Sequence, residues 1–344
     1  MLVLANSDLS TANTLALPCI ADYKLVVDCA EQLVDAIAFA NEKNLPWLVL
    51  GQGSNVVLPI KLHAVVIYLN IVGVAIRADN GSSVKVVVGA GEPWHNLVKN
   101  LLQQGIFGLE NLALIPGLAG AAPVQNIGAY GREISEFIDS VEVYDTEQQE
   151  VRCLSRSECD FSYRSSVFKT AGKHRYIITG LNLLLSIKDQ IDISYGGLAT
   201  ELKNIAAPTA ANVFDAVVRI RSSKLPDPAV QPNAGSFFKN PVIEASHYQQ
   251  LLTTYPDLVG YPQVDGRFKL AAGWLIDNAG WKGKAIGPVA THTKQALVLV
   301  NLGTATRDDV LNYAAALSTA IEDLYKVQLQ REPVAYSANC QRLA

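Results

Sequence analysis

The apolar and polar positions of the chain alternate between the period of β-strands and that of α-helices over its first two-thirds. Short runs rich in Val, Leu, Ile and Tyr predict strands at residues 47–50, 84–88, 141–144 and 176–185. After Pro93, the residues up to position 102 carry an apolar stripe at helical spacing. This mixture predicts an α/β or α+β protein and excludes a helix bundle.

Three further helices are predicted from the residues at their ends. Asp28 and Glu31 have the spacing of a capping box that opens a helix. Residues 269–279 are apolar at helical spacing and precede a glycine, so they also predict a helix. Thr306 and Asp309 repeat the capping-box spacing before the last apolar-periodic segment, which predicts a long C-terminal helix.

The texture of the sequence changes after about residue 205. Residues 206–211 are rich in Ala, Pro and Thr and predict a connection, and residues 224–228 form a stiff stretch with two prolines. No repeat with a period of about 20–50 residues is present. We therefore expect two folded units and a C-terminal tail, with the boundary near residue 205.

Composition and charge exclude several classes of protein. The chain has 344 residues, of which 49% are apolar and 17% charged, so it is too apolar for a disordered protein. With 28 Lys and Arg against 32 Asp and Glu, its net charge of -4 does not predict nucleic-acid binding. No apolar run reaches the roughly 18 residues of a membrane-spanning helix, and residues 1–18 lack the basic start of a signal peptide. Five cysteines at irregular spacing predict reduced thiols in a cytoplasmic protein.

The first candidate for chemistry is a glycine-containing turn directly after the strand at residues 47–50. Its residues are Gly51, Gln52, Gly53, Ser54 and Asn55. Two glycines allow a tight turn that exposes successive backbone N–H groups, and such a turn can cradle a pyrophosphate. A Rossmann dinucleotide site would need a third glycine where the sequence has Val56, followed by a helix. A hairpin with a glycine-rich turn is the alternative.

The second candidate is the segment at residues 114–131, which contains four glycines, four alanines and two prolines. An exposed apolar loop of this kind is expected to be covered by a large, flat ligand. Small side chains would let a planar ligand approach the backbone, whose N–H groups could bind its oxygens. The alternative is a close-packed turn between domains.

Three polar side chains are candidates for catalysis, although each also has a purely structural explanation. Arg164 follows Tyr163, Ser236 lies on a glycine-led turn beside two phenylalanines, and Glu332 lies near the end of the chain. Other catalytic templates are absent, because the sequence has no P-loop and no G-x-S-x-G elbow. Its histidines and cysteines do not have the spacing of a metal site, so no metal is expected.

Taken together, these segments resemble the UDP-N-acetylenolpyruvoylglucosamine reductases, the flavoenzymes that complete UDP-N-acetylmuramate in bacterial cell-wall synthesis. The resemblance extends from about residue 14 to the C-terminal tail. It rests on the motifs at residues 51–55, 115–131, 163–165, 233–241, 271–276 and 332–333. The N-terminal dozen residues match nothing in the family, and we give them no role.

The resemblance implies an α+β fold with an FAD-binding domain of the vanillyl-alcohol-oxidase (PCMH) type over residues 14–205, built from two subdomains. A smaller α/β substrate-binding domain would cover residues 206–328, and a tail at residues 329–344 would carry Glu332. NADPH would be the hydride donor and UDP-N-acetylglucosamine enolpyruvate the substrate, with no nucleic-acid or membrane partner. We expect a cytoplasmic monomer of the longer, type I subtype.

The resemblance also implies the site residue by residue. The family's catalytic arginine, serine and glutamate fall on Arg164, Ser236 and Glu332. The FAD pyrophosphate would lie on residues 51–55, and the rest of the flavin would lie along Ile115, Pro116, Gly117, Gly120, Ala121, Pro123, Val124, Gln125, Asn126, Gly128, Ala129 and Tyr130. The family's substrate-binding positions fall on Tyr163, Tyr195, Lys224, Asn240 and Gln295.

Chemistry explains why the three catalytic residues belong together. Hydride transfer to the enolpyruvyl alkene leaves negative charge beside a carboxylate, and a fixed guanidinium such as Arg164 can stabilise it. Glu332 could assist only if it is protonated or orients another donor, and Ser236 would deliver the final proton. Two alternatives stay open: a related flavin oxidase that acts on a sugar or alcohol, and a non-catalytic protein that binds UDP-sugars.

Overall fold

The computed structural model describes residues 1–78 and 81–343, and the chain divides into two compact units. The first unit contains Met1–Asn6, Tyr23–Gln52 and Ala64–Arg221. The second unit contains Ser7–Asp22, Gly53–His63 and Ser222–Ala344. The chain therefore contributes two short segments to the second unit before its C-terminal part completes that unit.

Strands and helices alternate along the chain, which confirms the predicted α+β class. The strands are β1 Leu2–Asp8, β2 Ile20–Val27, β3 Trp47–Val49, β4 Val56–Val57, β5 Lys61–Leu69, β6 Val74–Ala78, β7 Ser83–Gly89, β8 Gly128–Ala129, β9 Arg132–Glu133, β10 Ile138–Asp145, β11 Glu150–Ser155, β12 Tyr176–Ser186, β13 Asn233–Ser236, β14 Val242–Ile243, β15 Gly260–Pro262, β16 Phe268–Leu270, β17 Ala285–Ile286, β18 Val289–Thr291, β19 Val298–Asn301 and β20 Val334–Ala335. The α-helices are α1 Gln32–Glu42, α2 Trp94–Gln103, α3 Gly196–Leu202, α4 Ala210–Lys224, α5 Ala245–Thr254, α6 Ala272–Asn278 and α7 Arg307–Tyr325.

The first unit is built on two sheets. An antiparallel sheet has the strand order β11-β10-β12-β7-β6, and a second sheet has the order β1-β2-β5-β3, in which β3 is parallel to β5. Val86 of β7 and Leu183 of β12 share one core with Trp94 of α2 and Val217 of α4. Burial of such side chains at helical and strand spacing is the main stabilising contribution to this unit.

The second unit combines an antiparallel sheet with three helices. Its strand order is β13-β19-β18-β17, and a smaller sheet has the order β14-β16-β15. Helices α5, α6 and α7 bury their apolar faces in one core. Tyr313 of α7 is part of that core, and its hydroxyl donates to the carbonyl of Lys284 over 2.7 Å. The same hydroxyl accepts from the backbone N–H of Thr291 over 3.1 Å, so this buried polar group is fully used.

The boundary between the units lies later than the expected position near residue 205. Helix α4 places Val213, Ala216 and Val217 in the core of the first unit. Because this face of α4 packs in the core of the first unit, the chain up to Arg221 belongs to that unit. The predicted connection at residues 206–211 therefore leads into a helix of the same unit.

Three helix starts were predicted from the residues at the helix ends, of which one is confirmed and two lie at other residues. The capping box of α7 is confirmed, because Thr306 is its N-cap and its backbone N–H donates to Asp309 Oδ2 over 2.9 Å. The capping box expected at Asp28 and Glu31 is wrong. Glu31 itself is the N-cap of α1 without a side-chain cap, and the Asp28 N–H donates to the Gln32 side chain over 3.0 Å.

The helix predicted for residues 269–279 is also wrong at its start. Residues Phe268–Leu270 form β16, which pairs with β14 on one side and β15 on the other. Helix α6 begins only at Ala272, where the backbone N–H donates to the Asn240 side chain over 3.0 Å. Pairing with two strands overrode the helical spacing of the apolar residues.

A buried carboxylate closes the turn between β10 and β11. Asp145 is fully buried, and the Arg175 guanidinium donates to both of its oxygens, with distances of 2.7 and 3.0 Å. The backbone N–H groups of Glu147 and Gln148 also donate to it. The hydrogen bond from Arg175 is the main reason that the pKa of Asp145 lies below its ordinary value, while burial acts in the opposite direction.

We predict that Asp145→Asn lowers the free energy of unfolding by about 2 kcal/mol at neutral pH, because it removes the buried carboxylate to which Arg175 donates and leaves that guanidinium only the more exposed Glu147 as an ion-pair partner. A lowered native pKa stabilises the fold above the ordinary aspartate value of 3.8, and this contribution is lost as the pH falls below it. Urea unfolding of both proteins over a pH series measures this. The difference between them should shrink in acid.

Asp139→Asn is the matched control for this measurement. Asp139 also lies on β10 and pairs with Lys85, but both side chains are more than two-fifths exposed, at 43% and 42%. Its loss should cost less than about 1 kcal/mol. Equal effects of the two substitutions at neutral pH would contradict the role given to Asp145.

Candidate active site

Arg164 lies at the tip of a tight turn in the first unit. The backbones of Ser162 and Ser165 exchange hydrogen bonds of 3.1 and 3.0 Å, so Tyr163 and Arg164 form the two-residue tip. Arg164 has a φ of 55°, in the left-handed region that a residue with a Cβ rarely adopts. Such a conformation costs on the order of 1–3 kcal/mol and persists only where the surroundings enforce it.

The surroundings that enforce it are hydrogen bonds between this turn and the loop before β8. The Arg164 guanidinium donates from Nη2 to the carbonyl of Gly128 over 2.9 Å and from Nη1 to that of Asn126 over 3.4 Å. The Ser166 hydroxyl donates to the carbonyl of Val124 over 2.7 Å. In return, the Asn126 side chain donates to the carbonyl of Ser162 over 3.3 Å. We call these bonds between residues 162–166 and 124–128 the clamp.

Asn126 fixes the loop side of the clamp. It is buried and has a φ of 45°, and its side-chain oxygen accepts from the N–H of Ser135 over 3.1 Å. Its side-chain nitrogen also donates to Glu133 over 2.7 Å. At Gly128 a Cβ would lie 2.9 Å from the Arg132 carbonyl oxygen and 3.2 Å from Arg164 Nη1, so only glycine leaves room for the guanidinium.

The small-residue loop is less exposed than the sequence predicted. The first unit buries Leu118, Ala119 and Ala122 of this loop, whereas Pro116 and Ala121 are exposed. The expectation of an exposed apolar surface is therefore wrong for six of the 18 residues at 114–131, which are buried. The loop packs tightly at Gly120, where a Cβ would lie 2.7 Å from Ala90 Cβ, so glycine is needed there.

The glycine turn predicted to bind pyrophosphate is divided between the units. Gly51 and Gln52 belong to the first unit, where the Gln52 side chain accepts from the N–H of Gly117 over 3.1 Å. This bond joins two of the predicted cofactor segments. Gly53 belongs to the second unit, has a φ of 63°, and with a Cβ would collide with the carbonyl oxygen of Ala12. Packing alone therefore requires this glycine.

Ser236 and Glu332 lie on neighbouring backbone segments of the second unit. The Glu332 N–H donates to the carbonyl of Phe237 over 2.9 Å, and the Lys239 N–H donates to that of Gln330 over 2.9 Å. Ser236 is exposed at the end of β13, directly after Gly235, whose φ is 68°. The structure thus places the serine and the glutamate that the sequence proposed for catalysis on paired backbone segments.

Two of the predicted substrate-binding residues, both with amide side chains, contact the first residues of α6. Asn240 accepts from the N–H of Ala272 over 3.0 Å. A Cβ at Gly273 would lie 3.3 Å from Gln295 Oε1, so the Gln295 side chain lies against the same turn of the helix. Lys224 is exposed at the end of α4.

The predicted tyrosines lie in the first unit. The rings of Tyr195 and Tyr130 meet edge to face, with centroids 5.4 Å apart, and Tyr195 is 47% exposed. Tyr163 is exposed beside Arg164, whose guanidinium lies 5.3 Å from the tyrosine ring centroid. The structure therefore joins a cofactor candidate, Tyr130, to a substrate candidate, Tyr195.

Arg221 is a candidate site residue that the sequence reasoning missed. Its Nε is buried and has no hydrogen-bond partner among the described residues. Burial lowers the pKa of its guanidinium, and only the Tyr130 hydroxyl acts in the opposite direction. The pKa of the nearby His95 is also lowered, first by burial and then by Lys99 and Arg221. A buried cation without a counter-ion is costly, and this one fits an anionic or electron-rich ligand.

A signal for Arg221 was present in the sequence. It follows Val213 and Val217 at intervals of four, so it lies on the buried face of α4. A charged residue at a core position of an amphipathic helix predicts either an ion pair or a ligand contact.

Two further features were searched for within residues 1–78 and 81–343. No helix in this part of the chain has the length and apolar character to cross a lipid bilayer. No group of three or more His, Cys, Asp or Glu side chains could hold a metal ion there.

Two family models match the chain. "UDP-N-acetylenolpyruvoylglucosamine reductase, C-terminal domain" matches residues 227–336, and "FAD binding domain" matches residues 21–154. A UDP-N-acetylenolpyruvoylglucosamine reductase of Dechloromonas aromatica is 46% identical over 335 residues, which cover 96% of this chain and 98% of the relative. One from Pseudomonas aeruginosa is 46% identical over 304 residues, covering 88% and 89%.

The crystal structure of the same reductase from Thermus caldophilus matches with a TM-score of 0.67 and 23% identity, covering 98% of each chain. At this identity the likeness concerns the fold. Together with the FAD-binding match, it confirms the fold that the sequence predicted.

We predict that Arg221→Met raises the free energy of unfolding of the ligand-free protein by about 1–2 kcal/mol, because it removes a desolvated charge and keeps the buried stem. Chemical unfolding of the ligand-free protein measures this. Arg219→Met is the control on the same helix: its guanidinium is 56% exposed and pairs with Glu201, so its loss should cost less than about 1 kcal/mol. Destabilisation by Arg221→Met would show that Arg221 has an unrecognised structural partner.

Proposed function

The chain belongs to the UDP-N-acetylenolpyruvoylglucosamine reductase family, and we propose that it reduces UDP-N-acetylglucosamine enolpyruvate to UDP-N-acetylmuramate for peptidoglycan synthesis. FAD is its cofactor and NADPH its hydride donor. The observation that carries the proposal is the relative of that name, which is 46% identical over 96% of this chain. Both family models, which together span most of the sequence, support it.

The residues present fit FAD. Arg221 supplies a cation whose buried Nε has no hydrogen-bond partner in the described part of the chain, and Tyr130 lies beside it. The loop at residues 115–130, tied to Gln52, would hold the flavin, and residues 51–55 its pyrophosphate. When bound, FAD supplies the hydride that the alkene of the substrate receives.

We assign to Arg164 the stabilisation of the negative charge that develops next to the substrate carboxylate. Its planar guanidinium suits a charge delocalised over carbon and carboxylate. The clamp holds that group through the carbonyls of Asn126 and Gly128 without any substrate present. Because the donor is oriented in advance, little reorganisation is needed when the charge develops.

Ser236 is assigned the transfer of a proton to the α-carbon. A hydroxyl is a weak acid, so it needs a strongly basic acceptor and nearby support. Residues 237–239 pair with residues 330–332, so Lys239 follows Ser236 on one segment and Glu332 lies on the adjacent segment. Glu332 would act protonated or by orienting a donor, since a bare carboxylate would repel the developing charge.

The remaining assignments concern the nucleotide part of the substrate. Tyr195 and Tyr163 are exposed aromatic rings that could cover a base or sugar, and Asn240 and Gln295 present amides near the start of α6. Lys224 would add a cation for the diphosphate. The type I subtype stays a prediction that rests on the sequence resemblance.

We place the protein in the cytoplasm, where reduced thiols persist. None of the five cysteines, all of which lie in the described part of the chain, forms a disulfide. Burial raises the pKa of Cys19 and Cys159 to about 12, so these two thiols are poorly reactive. The monomeric state expected from the sequence stays a prediction.

The proposed activity predicts that the FAD-loaded protein consumes NADPH rapidly only when UDP-N-acetylglucosamine enolpyruvate is present. Absorbance of NADPH and mass spectrometry of the product measure this, and the product should be UDP-N-acetylmuramate. Rapid NADPH consumption with oxygen alone would instead indicate a flavin oxidase. Binding of UDP-sugars without NADPH consumption would indicate a non-catalytic binding protein.

The role of Ser236 predicts a different effect on each half-reaction. Ser236→Ala should leave reduction of the flavin by NADPH within about twofold, but slow its reoxidation by substrate by about 10²–10⁴-fold. Stopped-flow measurement of each half-reaction tests this, with Ser246→Ala, at an exposed serine of α5, as the control. Equal slowing of both half-reactions would show that Ser236 is structural.

A further inference from the structure

Arg164 combines a functional side chain with a backbone conformation that its Cβ disfavours. Its φ is 55°, and glycine, the residue that adopts this conformation freely, has no guanidinium to offer. The conformation therefore has to be maintained by neighbouring groups. The two hydrogen bonds between Ser162 and Ser165 hold the ends of the turn but do not use the carbonyl of Arg164 itself.

Lys169 contacts that carbonyl. Its Nζ donates to the carbonyl oxygen of Arg164 over 3.2 Å, and hydrogen bonds with a charged donor are stronger than neutral ones. The backbone of Lys169, from which this side chain extends, is held by its N–H, which donates to the carbonyl of Ser166 over 3.0 Å. Ser166 in turn is buried and bonded to Val124 of the clamp.

We propose that Lys169 is a positioning residue that keeps Arg164 in the left-handed conformation and so directs its guanidinium to the carbonyl of Gly128. Rotation of the Arg164 backbone into a relaxed conformation would move its carbonyl away from the Lys169 amine and would re-aim the whole side chain. The same ammonium thus stabilises the turn and sets the direction of the catalytic cation. This inference rests on the proposed function, which gives Arg164 its role in charge stabilisation.

The first test compares Lys169→Met with Lys169→Arg in the FAD-loaded enzyme. Lys169→Met should slow reoxidation of the flavin by substrate by about 10–100-fold, because a misplacement of about 1 Å has an effect of that size. Reduction by NADPH should stay within about twofold. Lys169→Arg keeps a charged donor and should retain reoxidation within about fivefold. Equal slowing of both half-reactions by Lys169→Met, or equal loss in both variants, would overturn the proposal.

The second test does not depend on activity. In the ligand-free protein, Lys169→Met should lower the thermal midpoint when residue 164 is arginine, but have little effect in an Arg164→Gly background, because glycine needs no support at this φ. The coupling between the two substitutions is the measured quantity. The same loss in both backgrounds would show that Lys169 stabilises the fold independently of Arg164. Lys203→Met, at an exposed lysine after α3, is the control for removing a charge.

Arg164→Met separates this proposal from the proposed function. If Arg164→Met leaves substrate turnover unchanged, the role assigned to Arg164 fails, and the positioning proposal fails with it. If Arg164→Met abolishes turnover while Lys169→Met leaves it unchanged, only the positioning proposal fails.

Discussion

The rest of the proposed chemistry depends on the clamp between the turn at residues 162–166 and the loop at residues 124–128. Its hydrogen bonds run in both directions, since Arg164 and Ser166 donate to loop carbonyls and Asn126 donates to the turn. Each bond uses a backbone carbonyl as its acceptor, and the carbonyl of Ser162 accepts from Ser165 as well as from Asn126. Neither segment can move without breaking bonds of the other, so loop and turn form one rigid element, and the guanidinium is part of it.

This rigidity is obtained at a local cost in backbone strain. Asn126, Tyr130 and Arg164 all have left-handed φ values, of 45°, 49° and 55°. Before Ser236 the same conformation is taken by Gly235, where no side chain is needed. At Asn126 and Arg164 the residue with the strained backbone also makes side-chain hydrogen bonds of the clamp, and such strain is common at functional sites. Arg221, whose buried Nε has no hydrogen-bond partner among residues 1–78 and 81–343, is a second locally unfavourable feature of the same unit.

Much of the fold and part of the site could be predicted from the sequence. Signals carried by a few adjacent residues were reliable, as for the capping box of Thr306 and Asp309. Predictions that depend on distant partners were not reliable. Residues 268–270 were predicted to be helical or to precede a helix, but they pair with two strands. The first unit was expected to end near residue 205, but it includes α4 up to Arg221. The motifs indicated Arg164, but its strained backbone and its contact with Lys169 arise only in the folded chain.

The central claim is that the Arg164 turn is formed before any ligand binds, and hydrogen exchange at the turn tests it most directly. In the ligand-free protein, the N–H groups of Ser162 and Ser165, which donate to each other's carbonyls, should exchange at least about tenfold more slowly than in an unfolded peptide. Addition of FAD and substrate should change this protection little. Exchange at the unfolded rate in the ligand-free protein, with protection appearing only on binding, would contradict the account.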